Sequence, residues 1–430
     1  MAVCPMSQRA ASLLLAHRLP PPSCQLVPRR WYRPEVLRRG IEKQKQSKKQ
    51  LYRLIEERYG LEPAIQKPPR EEFPKTHPKY TNRVSFGSDN PHYHEQQAYI
   101  FNHDVFLQEG VKQALWLTKS ALMGEGKMPT QVQELAESLS IPDMEERVEE
   151  SVKQCRLYDT EDRILPMSRF SFTQTMAFTR LCSLLGSQYP GLLSRAQGTN
   201  YYVAGSWTRE NAVIQVRGRP GILLTSKEPL GQLASSEDVR QTDRHDLGSF
   251  FPLAPTIDLK PVNVYKDNFN FPGFSEGHPF PHAHTLLMPR QYIKHSETFN
   301  ASGIMFAFAN ALCRAKLMYG ADETDLPSPI VTQCVVTNGV LFSFIHVQLN
   351  TLRLDSSQGP KNMVWLDADN PLYLDMYPPK ITLHRTKGQL KTDRRYSRPL
   401  LRRDPALGCQ NLDVGVFKKF LGCYLNGAVI

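Results

Sequence analysis

The sequence predicts an α+β fold in which helices flank a mixed β-sheet, preceded by a basic helix and an extended proline-rich arm. Helical and strand patterns alternate without the regular strand–helix–strand rhythm of a parallel α/β protein. Residues 340–349 are apolar on both faces, which is typical of a strand in the middle of a sheet. The chain has 430 residues and is 40% hydrophobic, which is enough for a substantial core.

Six segments repeat apolar residues at helical spacing. The clearest is 300–319, which is followed by Gly320, the residue type that most often ends a helix. Segment 413–425 carries one stripe of Val416, Phe420 and Tyr424. We expect helices at residues 109–123, 129–139, 143–155, 171–185, 300–319 and 413–425.

Runs of β-branched and aromatic residues between Gly, Pro and Asn predict the strands. Gly218-Arg-Pro-Gly221 separates two such runs, so we expect a hairpin there. Asn338-Gly339 separates two others and suits a two-residue type I′ turn. We expect strands at residues 200–207, 212–217, 222–225, 256–265, 285–288, 330–337 and 340–349.

The positive charge of the chain is concentrated near its two ends. The formal net charge is +11, of which residues 1–58 carry +9 and residues 384–403 carry +7, so the remainder sums to −5. A weakly acidic body with two basic segments is typical of a protein that binds a polyanion, either nucleic acid or an anionic membrane surface, through its extremities. Solvated tails without a partner are the simpler alternative for either segment alone.

Residues 1–34 have the composition of a mitochondrial targeting peptide. They contain five Arg and no acidic residue, and residues 7–18 can form a short amphipathic helix. The alternative is a secretory signal, for which the apolar stretch 10–16 is short and is followed at once by His17 and Arg18. We therefore expect import into mitochondria, with the mature chain located in the matrix.

Three regions follow from these patterns: the targeting peptide 1–34, a basic helix and proline-rich arm at 35–96, and a globular α+β body at 97–430 that includes the basic stretch 384–403. The eight cysteines show neither CxxC nor an even spacing, which favours free thiols in a reducing compartment. No apolar run reaches the length that spans a membrane, so we do not expect a transmembrane protein.

The basic residues of the two charged segments are the candidates for RNA binding, because Lys and Arg contact phosphates without reading sequence. The candidates are Arg38, Arg39, Lys43, Lys45, Lys48, Lys49, Arg53, Arg58, Lys391, Arg394, Arg395, Arg398, Arg402 and Arg403.

Catalytic motifs are missing from the sequence, which contains no phosphate-binding loop, dinucleotide fingerprint, zinc-protease helix or nucleophile elbow. His278, His282 and His284, with Glu276, could ligate zinc. The alternative is a Pro/aromatic loop with solvent-facing histidines. His346 is interpreted as a hydrogen-bonded core histidine, and nothing brings Asp258, Asp367 and Asp369 together. We expect no enzymatic activity, no cofactor, no metal and no small-molecule substrate.

Six segments of the body occur in the order in which one known family has them. They begin at EGVKQALWLTK (109–119) and continue through VNVY, GFSEG and HTL (262–286), residues 307–320, QLNT (348–351), KN with Trp365 (361–365), and FKKFL with YL (417–425). They resemble the family of large-subunit protein thirty-seven of the mitochondrial ribosome. The QLNT and KN segments also resemble its paralogue, programmed cell death protein nine. Residues 384–403 depart from the family pattern.

The resemblance implies a structural component of the mitochondrial large ribosomal subunit without enzymatic activity. It also implies contacts with mitochondrial ribosomal RNA and with other large-subunit proteins, the paralogue among them. Two other classes remain open from the sequence alone. One is a soluble matrix enzyme or metal-binding protein that uses the 278–284 loop, and the other is a peripheral protein of the inner membrane held by its basic helix.

Overall fold

The computed structural model describes residue 50 and residues 96–157, 167–264, 270–275, 277–289, 296–320, 324–373, 409 and 411–428. The chain divides into two units, residues 1–84 and 85–430. All described residues except Gln50 belong to the second unit, which combines helices with two mixed sheets. The predicted α+β class is confirmed.

Seven α-helices lie in the described part of the chain. The longest is buried over its central part, residues 299–313, with Ser302 partly exposed, and the shortest begins with a capping box between Ser235 and Asp238. In chain order the helices are α1 Gly110–Leu117, α2 Thr130–Ser138, α3 Met144–Leu157, α4 Met167–Ser183, α5 Ser236–Gln241, α6 Ser296–Tyr319 and α7 Val414–Leu425.

Four strands form the smaller sheet, in the order β4-β5-β1-β7. Strand β1 runs parallel to β5 and antiparallel to β7, while β4 and β5 are antiparallel. The sheet is therefore mixed. Its strands are β1 Gln96–Phe101, β4 Val203–Arg209, β5 Ala212–Gly218 and β7 Lys260–Val264.

Seven strands form the larger sheet, in the order β2-β11-β10-β9-β8-β6-β3. The pairs β2–β11 and β8–β9 are parallel and the other pairs are antiparallel. Its strands are β2 Ser120–Met123, β3 Arg195–Thr199, β6 Ile222–Ser226, β8 His282–Pro289, β9 Asp325–Thr337, β10 Leu341–Thr351 and β11 Asn362–Pro371.

Helix α6 fills the space between the two sheets. It is apolar around its whole circumference, as a helix with protein on every side must be. A Cβ added to Gly303 would lie 2.4 Å from Ile345 Cδ1 of the large sheet, so glycine permits the close approach. On the other side, Cys313 Sγ donates to Ala204 O of the small sheet at 2.8 Å. The first core therefore lies around this helix.

A second core lies on the opposite face of the large sheet, beneath α2, α3, α4 and α7. The ring of Phe178 on α4 stacks on Phe342 of β10, with centroids 5.9 Å apart, and meets Phe417 and Phe420 of α7 edge-on. Such aromatic contacts add to the area-dependent gain of burial. The apolar stripe predicted for α7 thus faces this core.

Two sequence predictions are wrong at element boundaries. Residues 109–123 do not form one helix: α1 ends at Leu117, Lys119 takes a left-handed φ of 48°, and residues 120–123 become β2 beside β11. Residues 218–221 do not close a hairpin, because β5 and β6 belong to different sheets. At Gly221 an added Cβ would lie 2.4 Å from Leu287 O, so the chain turns directly onto β8.

The central pairing of β9 with β10 is confirmed, but its turn is longer than predicted. Thr337 pairs with Phe342 rather than with Val340. The Asn338 side chain accepts from the N–H groups of Val340 and Leu341, and only Gly339, at φ 91°, is left-handed. The loop is therefore closed by the Asn338 amide and is not a two-residue type I′ turn, which requires positive φ at both residues.

Replacing Gly339 with Val should lower the free energy of unfolding by about 2–3 kcal/mol, since a β-branched residue resists positive φ. In addition, a Cβ at this position would lie 2.4 Å from Phe170 Cε1 and 2.8 Å from Gln174 Oε1. Urea denaturation should show the loss. The control is Gly231→Val, where an added Cβ meets nothing within 4 Å and φ is not in the left-handed range. Equal stability of the two variants would contradict the assigned turn.

Cys155, Cys182, Cys313 and Cys423 are free thiols, as predicted. Cys155, Cys182, Cys313, Cys334 and Cys423 are buried, and Cys409 is partly exposed. Burial raises the pKa of the Cys313 thiol to about 12, which leaves it protonated and unreactive. Among the described residues, no helix is both long enough and apolar enough to cross a bilayer.

Candidate functional site

The fourteen Lys and Arg residues predicted to bind RNA all lie outside the described residues, eight in the segment 38–58 and six in 391–403. The targeting peptide and the proline-rich arm lie outside them too. Their role therefore stays a prediction, and the described body shows which other groups could carry function.

The three histidines of residues 278–284 lie in different environments and do not form one site. His278 Nδ1 accepts from the backbone N–H of Phe280 at 3.1 Å. His282 is half-buried beside Arg314, whose Nη2 lies 3.5 Å from the ring Nε2. No group of three His, Cys, Asp or Glu side chains that could hold a metal occurs in the described ranges.

His284 is buried rather than solvent-facing, which corrects the sequence interpretation for that residue. It lies at an irregularity of β8, between Ala283, which pairs with Thr225, and Thr285, which pairs with Leu224. Its Nε2 donates to Asn426 O at 2.7 Å, and its Nδ1 lies 2.7 Å from Thr285 Oγ1. Burial, with Arg195 nearby, lowers the pKa of His284 to about 3, so the ring is neutral.

A row of polar side chains crosses the large sheet and receives the C-terminal end of α7. Gln333 donates through Nε2 to Cys423 O and to Thr285 Oγ1, both at 3.0 Å. Its Oε1 accepts from Asn426 Nδ2 at 3.0 Å. Because the last carbonyls of a helix lack partners within the helix, these contacts fasten α7 to the sheet at its end.

His346 belongs to the same row and is a core histidine, as predicted, but its hydrogen bonding is incomplete. Its Nε2 lies 3.7 Å from Cys423 Sγ. Its Nδ1 has no hydrogen-bond partner in the described part of the chain. Burial lowers the pKa of His346 to about 3.

Acid should destabilise the fold through these two histidines. Both rings are neutral when folded, with pKa about 3, whereas an unfolded histidine has a pKa of 6.5. Between those values the unfolded chain binds more protons, so the free energy of unfolding falls as the pH drops from 6.5 towards 3. The expected loss is about 1.4 kcal/mol per pH unit and histidine.

Urea midpoints at pH 7.5 and 5 should therefore differ less for His346→Gln than for the parent chain. His245→Gln, at an exposed histidine, is the control and should keep the parent's pH dependence. Identical pH dependence in the parent and in His346→Gln would contradict the neutral buried ring.

Two of the three carboxylates named in the sequence, those of Asp258 and Asp367, have partners within the fold. Asp258 Oδ2 accepts from the Gln108 N–H at 2.9 Å. Asp367 forms a 2.6 Å ion pair with Lys419 of α7, and Asp369 stands at a left-handed position on β11. The contacts of Asp258 and Asp367 position a loop and a helix.

A buried polar junction joins β2, β10 and β11, and Asn362 is its centre. The Asn362 Oδ1 accepts from the N–H groups of Asn350 and Thr351 at 2.8 and 3.1 Å. Its Nδ2 donates to Thr118 O at 3.2 Å, and its own N–H donates to Lys119 O at 3.0 Å. The Asn362 side chain thus binds backbone groups at the end of β10 and at Thr118, two residues before β2.

Three buried cations hold the connection between β10 and β11 against this junction. Lys119 Nζ donates to Arg353 O and Gln358 O at 2.7 and 2.6 Å. Lys361 Nζ donates to Gly359 O at 2.7 Å, and Arg209 donates to Asp355 O at 3.1 Å and to Ser357 Oγ at 2.6 Å. Desolvation, with Lys361 and Arg209 nearby, lowers the pKa of Lys119 to about 8.

These cations bind carbonyl groups within the fold and are at most 1% exposed, so a phosphate does not reach them. The junction is therefore an architectural site. Sequence reasoning did not assign it, although Lys119, Thr351, Lys361 and Asn362 lie in three of the segments that carry the family resemblance. The sequence signal that could have indicated the junction is the presence of polar residues in otherwise apolar strands, because buried amides need hydrogen-bond partners.

Comparison with known proteins identifies the family to which these segments belong. A family model described as mitochondrial 28S ribosomal protein S30 (PDCD9) matches residues 284–426, which include α7 and the part of the junction that lies on β10 and β11. Large ribosomal subunit protein mL37 of Gallus gallus is 36% identical over 79% of this chain and 77% of its own length. The mL37 proteins of Rattus norvegicus and Bos taurus are 36% and 35% identical over 79% and 82% of the chain.

The family-model description names a small-subunit protein, whereas these relatives carry a large-subunit name. The relatives cover about four-fifths of the chain and the model covers one third of it, so the relatives decide the assignment. The chain belongs to the family of large ribosomal subunit protein mL37.

Proposed function

We propose that this chain is a structural component of the mitochondrial large ribosomal subunit and takes part in mitochondrial translation without catalysing a reaction. The observation that carries the proposal is the similarity to the mL37 proteins over about four-fifths of the chain. The described polar clusters agree with it, because their donors and acceptors are used to fasten helices and loops.

The proposal includes ribosomal RNA as a partner of the two basic segments. The body between them sums to −5, so attraction to phosphate comes mainly from residues 1–58 and 384–403. After removal of a presequence the first segment would keep Arg38, Arg39, Lys43, Lys45, Lys48, Lys49, Arg53 and Arg58. Neighbouring large-subunit proteins, and the paralogue programmed cell death protein nine, are the proposed protein partners.

Gradient fractionation of a mitochondrial lysate tests the assignment. The chain should sediment with the large subunit and move to light fractions after RNase treatment. A chain that stays at the top of the gradient without RNase, or that floats with anionic vesicles, would contradict the proposal and favour a matrix or membrane-surface protein.

The precursor should be cut between Arg18 and Arg38, because the acid-free composition typical of a mitochondrial presequence ends at Glu35. N-terminal sequencing of the chain isolated from large subunits measures the site. A mature protein that begins at Met1 would refute the predicted presequence.

A further inference from the structure

Four large apolar side chains are exposed on two segments of the body, Phe106 on one and Phe251, Leu253 and Ile257 on the other. Phe251 is 92% exposed, Phe106 63%, Ile257 57% and Leu253 49%. We call these four residues the apolar patch. Single exposed apolar residues are ordinary, but several in one place mark an interaction site.

The loop that carries the patch is fastened to the body. Gln113 Nε2 donates to Pro255 O at 2.7 Å, and the Gln108 N–H donates to Asp258 Oδ2 at 2.9 Å. The ring of Phe250 meets Trp116 edge-on with centroids 6.2 Å apart. The side chains on this loop are thus presented on a preformed surface, which lowers the entropic cost of binding.

The same contacts bring Phe106 to the loop, since Phe106 lies two residues before Gln108. A second link joins Lys260 Nζ to Asp104 Oδ2 at 4.0 Å. Segments 103–112 and 243–260 therefore border one surface.

The charge around the patch disfavours RNA. Segments 103–112 and 243–260 together hold five acids and three Lys or Arg, a net charge of −2. The five acids are Asp104, Glu109, Asp243, Asp246 and Asp258. Phosphate is repelled by such a border, whereas a protein pocket bordered by Lys and Arg complements it.

We propose that the apolar patch docks a neighbouring protein of the large subunit. The partner would offer a pocket that is apolar at its centre and lined by Lys and Arg at its rim. This inference rests on the proposed function. It predicts two modes of attachment: salt-sensitive contacts of the basic segments with RNA, and a salt-resistant apolar contact made by Phe251 and its neighbours.

The test places a photo-reactive benzoyl-phenylalanine at position 251 of the full chain and cross-links it within purified large subunits. The expected product is one RNase-resistant adduct with a subunit protein, mapped to an apolar segment next to Lys or Arg. The probe at position 193 is the control, because Leu193 is 81% exposed outside the patch. An adduct with RNA, lipid or a second copy of this chain, or no adduct, overturns the proposal.

A second variant, Phe251→Ser with Leu253→Ser, removes apolar surface without emptying the core, so its melting temperature should match the parent's. At about 0.5 M KCl, where charge pairs are screened, its retention on subunits should fall at least about tenfold. The matched control is Leu184→Ser with Leu193→Ser. If the patch variant is retained on subunits as well as the parent chain is, the docking proposal is wrong. If the parent chain itself is absent from subunits at low salt, the proposed function is wrong.

Discussion

Replacing Asn362 with Leu is expected to lower the free energy of unfolding by about 4 kcal/mol, the largest stability effect that the described contacts predict. The substitution leaves the N–H groups of Asn350 and Thr351 buried without their acceptor. Each orphaned buried group costs about 1–3 kcal/mol, and the bond from Asn362 Nδ2 to Thr118 O is lost as well. Urea or thermal unfolding at neutral pH measures the change.

Gln131→Leu is the matched control, since it makes a similar amide-to-leucine change at an exposed helical position of α2. It should shift stability by no more than about 0.5 kcal/mol. If Asn362→Leu were as stable as this control, the junction would not hold β2 to β10 and β11 in the way described.

The sequence was informative wherever local pattern and burial agree. The apolar residues of segment 300–319 predicted α6, which starts four residues earlier, at Ser296. The predicted cap at Gly320 is present, with φ 92° and its N–H on Lys316 O. Val340 and its successors predicted an interior strand, and β10 lies between β9 and β11. In these elements one periodicity determines both the conformation and the buried surface.

The predictions fail where contacts with residues distant in sequence determine the local conformation. Residues 120–123 continue the apolar spacing of α1, and only pairing with β11, some 240 residues later, makes them a strand. The 218–221 turn signal predicts a reversal but not which sheet receives the next strand. Likewise, the Asn362 junction forms because Thr118, just before β2, and Asn350 on β10 both contact the Asn362 side chain. Thr118 is far from Asn362 in sequence, so no local pattern predicts that contact.

Neutralising the basic arm should produce the largest change in RNA binding. Replacing Lys43, Lys45, Lys48 and Lys49 with Gln removes up to four phosphate contacts. Each contact contributes about 0.7 to the slope of log affinity against log salt on single-stranded RNA. The slope should therefore fall by as much as about 3, which at 0.1 M salt corresponds to a weakening of up to several hundred-fold, about 4 kcal/mol. Filter binding across a salt series measures it, and incorporation into subunits should fall in parallel.

A second set of substitutions, at Lys391, Arg394, Arg395 and Arg398, should act in the same direction but less, because residues 384–403 depart from the family pattern. The control with equal charge loss replaces four exposed cations of the body, Lys127, Lys227, Arg240 and Arg244, with Gln. A body of net −5 should lose little RNA affinity by this change. His278→Gln with His282→Gln should alter neither binding nor assembly.

The competing outcomes separate the models of attachment. If the arm variant kept the parent's salt slope while the body variant lost affinity, RNA would bind the folded body and the charge argument would be wrong. If both kept the slope and the histidine variant failed to assemble, the 278–284 loop would carry the function despite the separation of its histidines. Only a slope that falls with the arm charges, at unchanged unfolding midpoints, supports attachment through counterion release by the chain's extremities.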